Sequence, residues 1–211
     1  MDLSDPSKAV LPSVRGAVLR VLARTDVPMS GRAVAATAGQ QVGYRRVSQV
    51  LGELVEAGIV LRESQPPAYL YRLNRDHVAA EPVLMLADLR GRLLERIAES
   101  VRRWEAAPDA LWLFGSAARG DGSSSSDIDL LVLRSSAMSG DDPTWCQQLD
   151  ELAEHVSTWS GNDCQILEYS SNELAGLVHA GDPLIDELRR DAIALVGRRP
   201  QEALRVTRRR R

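Results

Sequence analysis

Apolar residues recur every three or four positions over residues 14–57, shift to short extended runs, and return to helical spacing from residue 82. Val14, Ala17, Val18, Val21 and Leu22 share one face of a helix that Ser13 can cap and that runs to Thr25. Ser30 can cap a shorter helix ending at Ala38, with Gly39 just past its end. A third helix, Tyr44 to Ala57, turns Val47, Val50, Leu51, Leu54 and Val55 inward, and Gly58 stops it. Residues 59–63 and 69–73 read as two strands around Ser64-Gln65-Pro66-Pro67. Leu86, Leu89, Leu93, Ile97, Val101 and Trp104 then predict one long helix from Pro82 to Trp104. Its stripe suits a packing face first, and a seam between two copies second. Strands at 110–114, 127–134 and 163–169 follow, with helices over 145–159 and 172–179. Asp182-Pro183 opens a last helix, because Asp caps well and proline is tolerated in the first turn, and a strand at 192–196 closes the pattern.

This order of elements predicts an α+β chain of two small domains, which 211 residues and 44% hydrophobic content can supply with cores. The expected boundaries are a first domain at 1–76, a linker helix at 77–107, a second domain at 108–197 and a basic, disordered tail at 198–211. Charge follows the same divisions. Residues 1–76 carry ten Lys and Arg against seven acids, residues 77–197 nine against twenty-one, and residues 198–211 seven against one. A nucleic acid would therefore meet the ends, while the acidic middle suits a metal-neutralised nucleotide. Cys146 and Cys164 form no Cys-x-x-Cys pair and read as reduced thiols. His77, His155 and His179 show no ligand spacing. No signal peptide and no apolar run of about 20 residues is present, so a soluble, cytoplasmic protein is expected.

Candidate chemistry concentrates between residues 110 and 130. An apolar strand ends at Phe114, Gly115-Ser116 turn the chain into Ala117-Ala118-Arg119, and a serine-rich loop leads to Asp127-Ile128-Asp129-Leu130. Free backbone N–H groups after the turn can face a phosphate. Alternation along a strand sets Asp127 and Asp129 on one face, and two adjacent carboxylates suit Mg²⁺ carrying a nucleotide. The same loop is no calcium-binding EF-hand, since its sixth and twelfth positions from Asp121 are Ser126 and Val132 rather than Gly and Glu. No Gly-x-x-x-x-Gly-Lys phosphate loop occurs.

The series Phe114, Gly115, Ser116, a spacer of ten residues, Asp127, Ile128, Asp129, Leu130 resembles the nucleotidyltransferase superfamily related to DNA polymerase beta, particularly its minimal nucleotidyltransferases. That resemblance covers residues 108–197. It implies transfer of a nucleoside monophosphate from an NTP to an acceptor hydroxyl, with Asp127 and Asp129 holding one or two Mg²⁺ ions. Gly115, Ser116, Arg119 and Ser126 would contact the nucleotide. A third carboxylate is usual in the superfamily, and Asp163, Gln165 and Glu168 compete for its position, Asp163 being the acid that shares a face with Gln165.

Three helices followed by a hairpin, with Leu51-x-x-Leu54-Val55-x-x-Gly58-Ile59-Val60, resemble the winged helix-turn-helix fold of bacterial regulators. The resemblance implies that Tyr44, Arg45, Arg46, Ser48 and Gln49 face DNA from the third helix, with Arg62 and Arg72 on the hairpin near phosphates. The leading expectation is a nucleotidyltransferase whose winged helix selects the acceptor or a DNA site, the acceptor being protein, RNA or a small molecule. The alternative is a DNA-binding regulator with a catalytically silent, nucleotide-sensing domain, and a toxin–antitoxin role is among those the resemblance implies.

Overall fold

Ser13 accepts a hydrogen bond from the Gly16 amide at 3.4 Å, and Ser30 does the same for Ala33 at 3.2 Å, so two of the expected caps start helices where serine can satisfy a free N–H. They open α1 (Val14–Ala23) and α2 (Gly31–Ala38) in a computed structural model that describes residues 1–39, 42–123 and 125–205. The chain divides into two units, residues 5–90 and residues 1–4 with 91–211.

In the first unit, a 3₁₀ turn at Pro6–Ala9 precedes α1, β1 (Met29–Ser30) and α2. Next come α3 (Tyr44–Glu56), β2 (Val60–Gln65), β3 (Ala68–Leu73) and α4 (Ala80–Ala87). The strands form an antiparallel sheet in the order β1-β3-β2. Val18, Leu22, Val34, Val47, Leu51, Leu54, Val60 and Leu73 make its core, each buried from water.

The second unit contains α5 (Leu89–Arg102), β4 (Ala110–Phe114), α6 (Gly115–Arg119), β5 (Ile128–Arg134) and α7 (Pro143–Ser160). Then follow β6 (Cys164–Ser170), α8 (Ser171–Ala180), α9 (Pro183–Asp191), β7 (Ile193–Gly197) and α10 (Pro200–Ala203). The sheet is mixed, in the order β6-β5-β4-β7, with β5 parallel to β6 and antiparallel to β4. Every residue of β4 is buried, which requires cover on both faces. Leu93, Ile97 and Val101 of α5 and Trp145, Leu152 and Val156 of α7 pack on the face of Leu111, Leu113, Leu130 and Val132. Leu174, Val178, Ile185, Leu188 and Leu204 cover the opposite face, with Trp112, Phe114, Leu131 and Leu133. The Trp112 indole donates to the Arg198 carbonyl at 2.7 Å, so this large buried ring leaves no polar atom unpaired. Asp142 and Asp182 cap α7 and α9 through the Trp145 and Leu184 amides. Trp159 is covered by Arg96, 4.4 Å from its ring centre, and by a stacked His155.

Two expectations are corrected. The single helix over 82–104 is two helices that break at Asp88, because Val83, Leu84 and Ala87 belong to the first core while Leu93, Ile97 and Val101 belong to the second. The disordered tail from residue 198 instead begins with β7's last contacts and α10, since Pro200 and Leu204 are buried. Residues 206–211 of that tail lie outside the described residues. The two cysteines are free thiols, and burial pushes that of Cys164 up to about 12. No helix among the described residues is long and apolar enough to cross a membrane.

Candidate functional site

Phe114 pairs with Asp129 across β4 and β5, so the turn that leaves β4 begins directly beside the second acid. Gly115 there has φ +67°, and a Cβ on it would lie 2.3 Å from Asp129 Oδ2. Only glycine combines that backbone conformation with such an approach. The Asp129 carboxylate therefore rests against the turn's backbone, where a larger residue would expel it. Asp129 is half-buried and Asp127, one residue before β5, is exposed. Burial raises the Asp129 carboxyl above its ordinary range, Asp127 and Glu187 raise it further, and Arg119 opposes them. Unshared negative charge of this kind, carried by hard oxygen donors, is what a divalent cation relieves. Among the described residues no group of three His, Cys, Asp or Glu side chains could hold a metal ion. Asp127 and Asp129 are the carboxylates beside the turn that could lend oxygens to a cation.

The serine-rich loop is partly braced by its own residues and by Asn162. Gly122 packs by Ser116, since a Cβ on it would come 3.4 Å from Ser116 Oγ and 3.6 Å from Ser126 Cβ. Ser126 accepts the Ser123 amide through its hydroxyl at 2.9 Å, and its carbonyl accepts from the buried Asn162 amide at 2.9 Å. Ser116 and Ser126 are therefore brought to the same side of the turn as Gly115, each half-buried.

Arg119 is already engaged. Its guanidinium donates to Asp121 at 3.1 Å and to Asp191 at 2.7 Å, so a nucleotide phosphate would compete with two carboxylates for it. Asp191 is 5% exposed at its side chain, and Arg190 and Arg119 hold its carboxyl below the usual range. Glu187 lies one turn earlier on α9, half-buried, and its charge reaches Asp129. Neither acid was among the candidates. Their signal is the four-residue spacing of Glu187 and Asp191 on the helix whose Ile185 and Leu188 are buried, but the element that this face meets cannot be read from spacing.

Of the three competitors for a third carboxylate, Gln165 is the residue paired with Asp129 across β5 and β6. Asp163 precedes β6; its carbonyl accepts the Ile128 amide at 2.8 Å and its side chain is exposed. Glu168 is on the opposite face of the sheet, where it pairs with Arg134 at 2.5 Å.

In the first unit, Tyr44, Arg45, Arg46, Ser48 and Gln49 are all exposed on α3, opposite the buried Val47, Val50, Leu51 and Leu54. Arg46 donates to Gln49 at 2.7 Å, and Gln49 to Glu53 at 3.1 Å. On the hairpin, Arg72 pairs with Glu63 at 3.0 Å and Arg62 lies 4.8 Å from the centre of the Tyr69 ring.

Comparison with known proteins adds to this geometry. Residues 95–181 match the family model described as Polymerase beta, Nucleotidyltransferase. The matched stretch runs from within α5 to the end of α8 and contains Gly115, Ser116, Arg119, Asp127 and Asp129; Glu187 and Asp191 fall beyond it. It supports nucleotidyl transfer in general terms. A solved structure described as "Crystal structure of the toxin-antitoxin with AMP-PNP" aligns at 21% identity over 52% of this chain and 77% of that one, with a TM-score of 0.37. The search of curated proteins returned no match.

Proposed function

We propose that the protein transfers a nucleoside monophosphate from an NTP to an acceptor hydroxyl. The observation that carries this reading is the placement of Asp129 against the Gly115 backbone with Asp127 beside it, inside the stretch that matches the nucleotidyltransferase model. Asp127 and Asp129 would hold Mg²⁺, which when bound screens the phosphate charge as pyrophosphate departs. Gly115 and Ser116 present backbone and hydroxyl donors to the phosphates, and Ser126 closes the same side. Arg119 reaches the nucleotide by exchanging Asp121 or Asp191 for a phosphate oxygen, a swap of one charge-assisted partner for another. The acceptor oxygen bonds to the α-phosphorus as the bond to the β-phosphate breaks. In this reading the hydroxyl proton goes to one of two acids, Asp163 before β6 or Glu187 on α9, and Asp163→Asn against Glu187→Gln separates them.

The first unit is assigned a winged helix-turn-helix role in recognition, from its three helices, its β1-β3-β2 sheet and the exposed polar face of α3. Incubating the chain with Mg²⁺, each α-labelled NTP and a cell extract tests the proposal. A labelled product lost in both Asp127→Ala and Asp129→Ala supports it; equal labelling by both variants and the parent rejects the site.

Gln165, an amide that cannot serve as a base, stands beside Asp129 and favours a second reading. In it the domain senses nucleotide without turnover and α3 contacts DNA through Tyr44, Arg45, Arg46, Ser48 and Gln49. That reading requires salt-sensitive binding to a preferred duplex sequence, altered by NTP, and a mobility-shift series with no sequence preference rules it out.

A further inference from the structure

A cleft of about 450 Å³ in the first unit lies between the start of α2, α3 and the hairpin. Tyr44, Tyr69 and Tyr71 line it together with Arg32, Ser30 and Ser48. Its floor is Gly31, for a Cβ there would touch the Tyr44 ring at 3.5 Å, Leu51 at 3.6 Å and the Tyr71 ring at 3.6 Å. The rings of two separate elements thus converge over one glycine. Tyr44 and Tyr69 remain 52% and 51% exposed, so both rings keep apolar surface open to water. Their neighbours are cationic. Arg62 stacks on Tyr69, and among the described residues no carboxylate pairs with Arg32 or with Arg45 in the first turn of α3. Burial holds the Tyr71 hydroxyl above the ordinary phenol range, with Arg62 opposing and Tyr44 and Tyr69 adding to it, so the groups form one cluster.

Aromatic faces beside unpaired guanidinium groups match a planar base carrying a phosphate. A base inside a duplex has both faces stacked on its neighbours and offers none to a tyrosine. A concave cleft is also the wrong shape for reading a major groove, which a convex helix enters. The cleft volume falls in the range, about 300–1,000 Å³, of sites that enclose one small group.

We propose that this cleft holds an unpaired nucleotide of single-stranded nucleic acid, with its base stacked on Tyr44 and Tyr69 and its phosphate against Arg32. The proposal rests on reading the first unit as the recognition module and makes an unpaired strand, rather than a duplex, the thing recognised. Strand binding is measured without NTP or metal, so its failure and the failure of nucleotidyl transfer are separate results.

The test is fluorescence anisotropy of the full chain with short labelled strands of mixed sequence, as RNA, as DNA and as the matching DNA duplex. Either single strand is expected to bind more tightly than the duplex, and the RNA and DNA arms show which sugar is preferred. Tyr44→Ala and Tyr69→Ala should each weaken single-strand binding by about tenfold, whereas Tyr44→Phe, which keeps the ring, retains it. Arg32→Ala should flatten the dependence of affinity on salt. Circular dichroism of each variant establishes that it is folded, and Gly31→Leu, which fills the floor, gives an independent block. Duplex binding as tight as single-strand binding, or parental affinity in both alanine variants, overturns the proposal.

Discussion

Gly115→Ala tests whether the turn and the acid site are one construction. Alanine at φ +67° carries left-handed backbone strain of about 1–2 kcal/mol. Its Cβ would also fall 2.3 Å from Asp129 Oδ2 and 3.2 Å from Asp129 Cγ, so the half-buried side chain must move, an overpacking cost of about 1–3 kcal/mol. The sum, about 2–5 kcal/mol, is a large share of the roughly 5–15 kcal/mol that holds a domain folded. At about 4 °C per kcal/mol for a unit of this size, the second unit should melt roughly 8–20 °C lower. Calorimetry of the full chain measures this, because its two units can melt separately. The decisive comparison is the double-mutant cycle with Asp129→Ala. Removing the carboxylate leaves only the backbone strain, so Gly115→Ala should cost about 1–3 kcal/mol less in that background. An equal cost in both backgrounds refutes the claim that Gly115 exists to admit Asp129.

Asp129→Asn should stabilise the folded chain at neutral pH. The native carboxyl binds its proton more tightly than the unfolded one, so ionising it costs stability as pH rises through the raised native value, and asparagine escapes that cost. The gain should vanish below the ordinary carboxylate range, and a gain independent of pH contradicts the electrostatic cause. Asp191→Asn has the opposite sign: its carboxyl is held below the usual range by Arg190 and Arg119, so the variant is less stable above that range and the difference closes as pH falls through the depressed native value. Thermal unfolding across a pH series reads both. Ser170→Ala removes the capping box in which Ser170 accepts the Glu173 amide at 3.2 Å and Glu173 accepts the Ser170 amide at 2.7 Å; it should cost about 1 kcal/mol by urea unfolding, and no loss means the cap is not formed in solution.

Local chemistry was legible where a residue acts on its own neighbours. Ser13, Ser30 and Asp182 cap the helices they announce, and β4 and β5 form on the two sides of the Gly115 turn, with α6 following that turn directly. Periodicity reports that a stripe is buried, not in which core, so it merges α4 and α5 into one helix. The residues before Asp88 and after it keep helical spacing while serving different clusters, and no glycine or proline marks the break. Glu187 and Asp191 are illegible for a related reason: they reach the site from α9, far along the chain, through packing that depends on Ile185 and Leu188. Gln165 beside Asp129 was foreseeable, since a parallel neighbour follows from strand register once β6 is placed.

The proposed chemistry moves an α-phosphate at Asp127 and Asp129. Parallel reactions with Mg²⁺ and cell extract, one with NTP labelled at the α-phosphate and one at the γ-phosphate, test it most directly. The α-label should enter an acceptor while the γ-label leaves as pyrophosphate, and Asp127→Ala and Asp129→Ala should abolish both. Label from the γ-phosphate in the acceptor, or α-labelled product undiminished in the two variants, would contradict it.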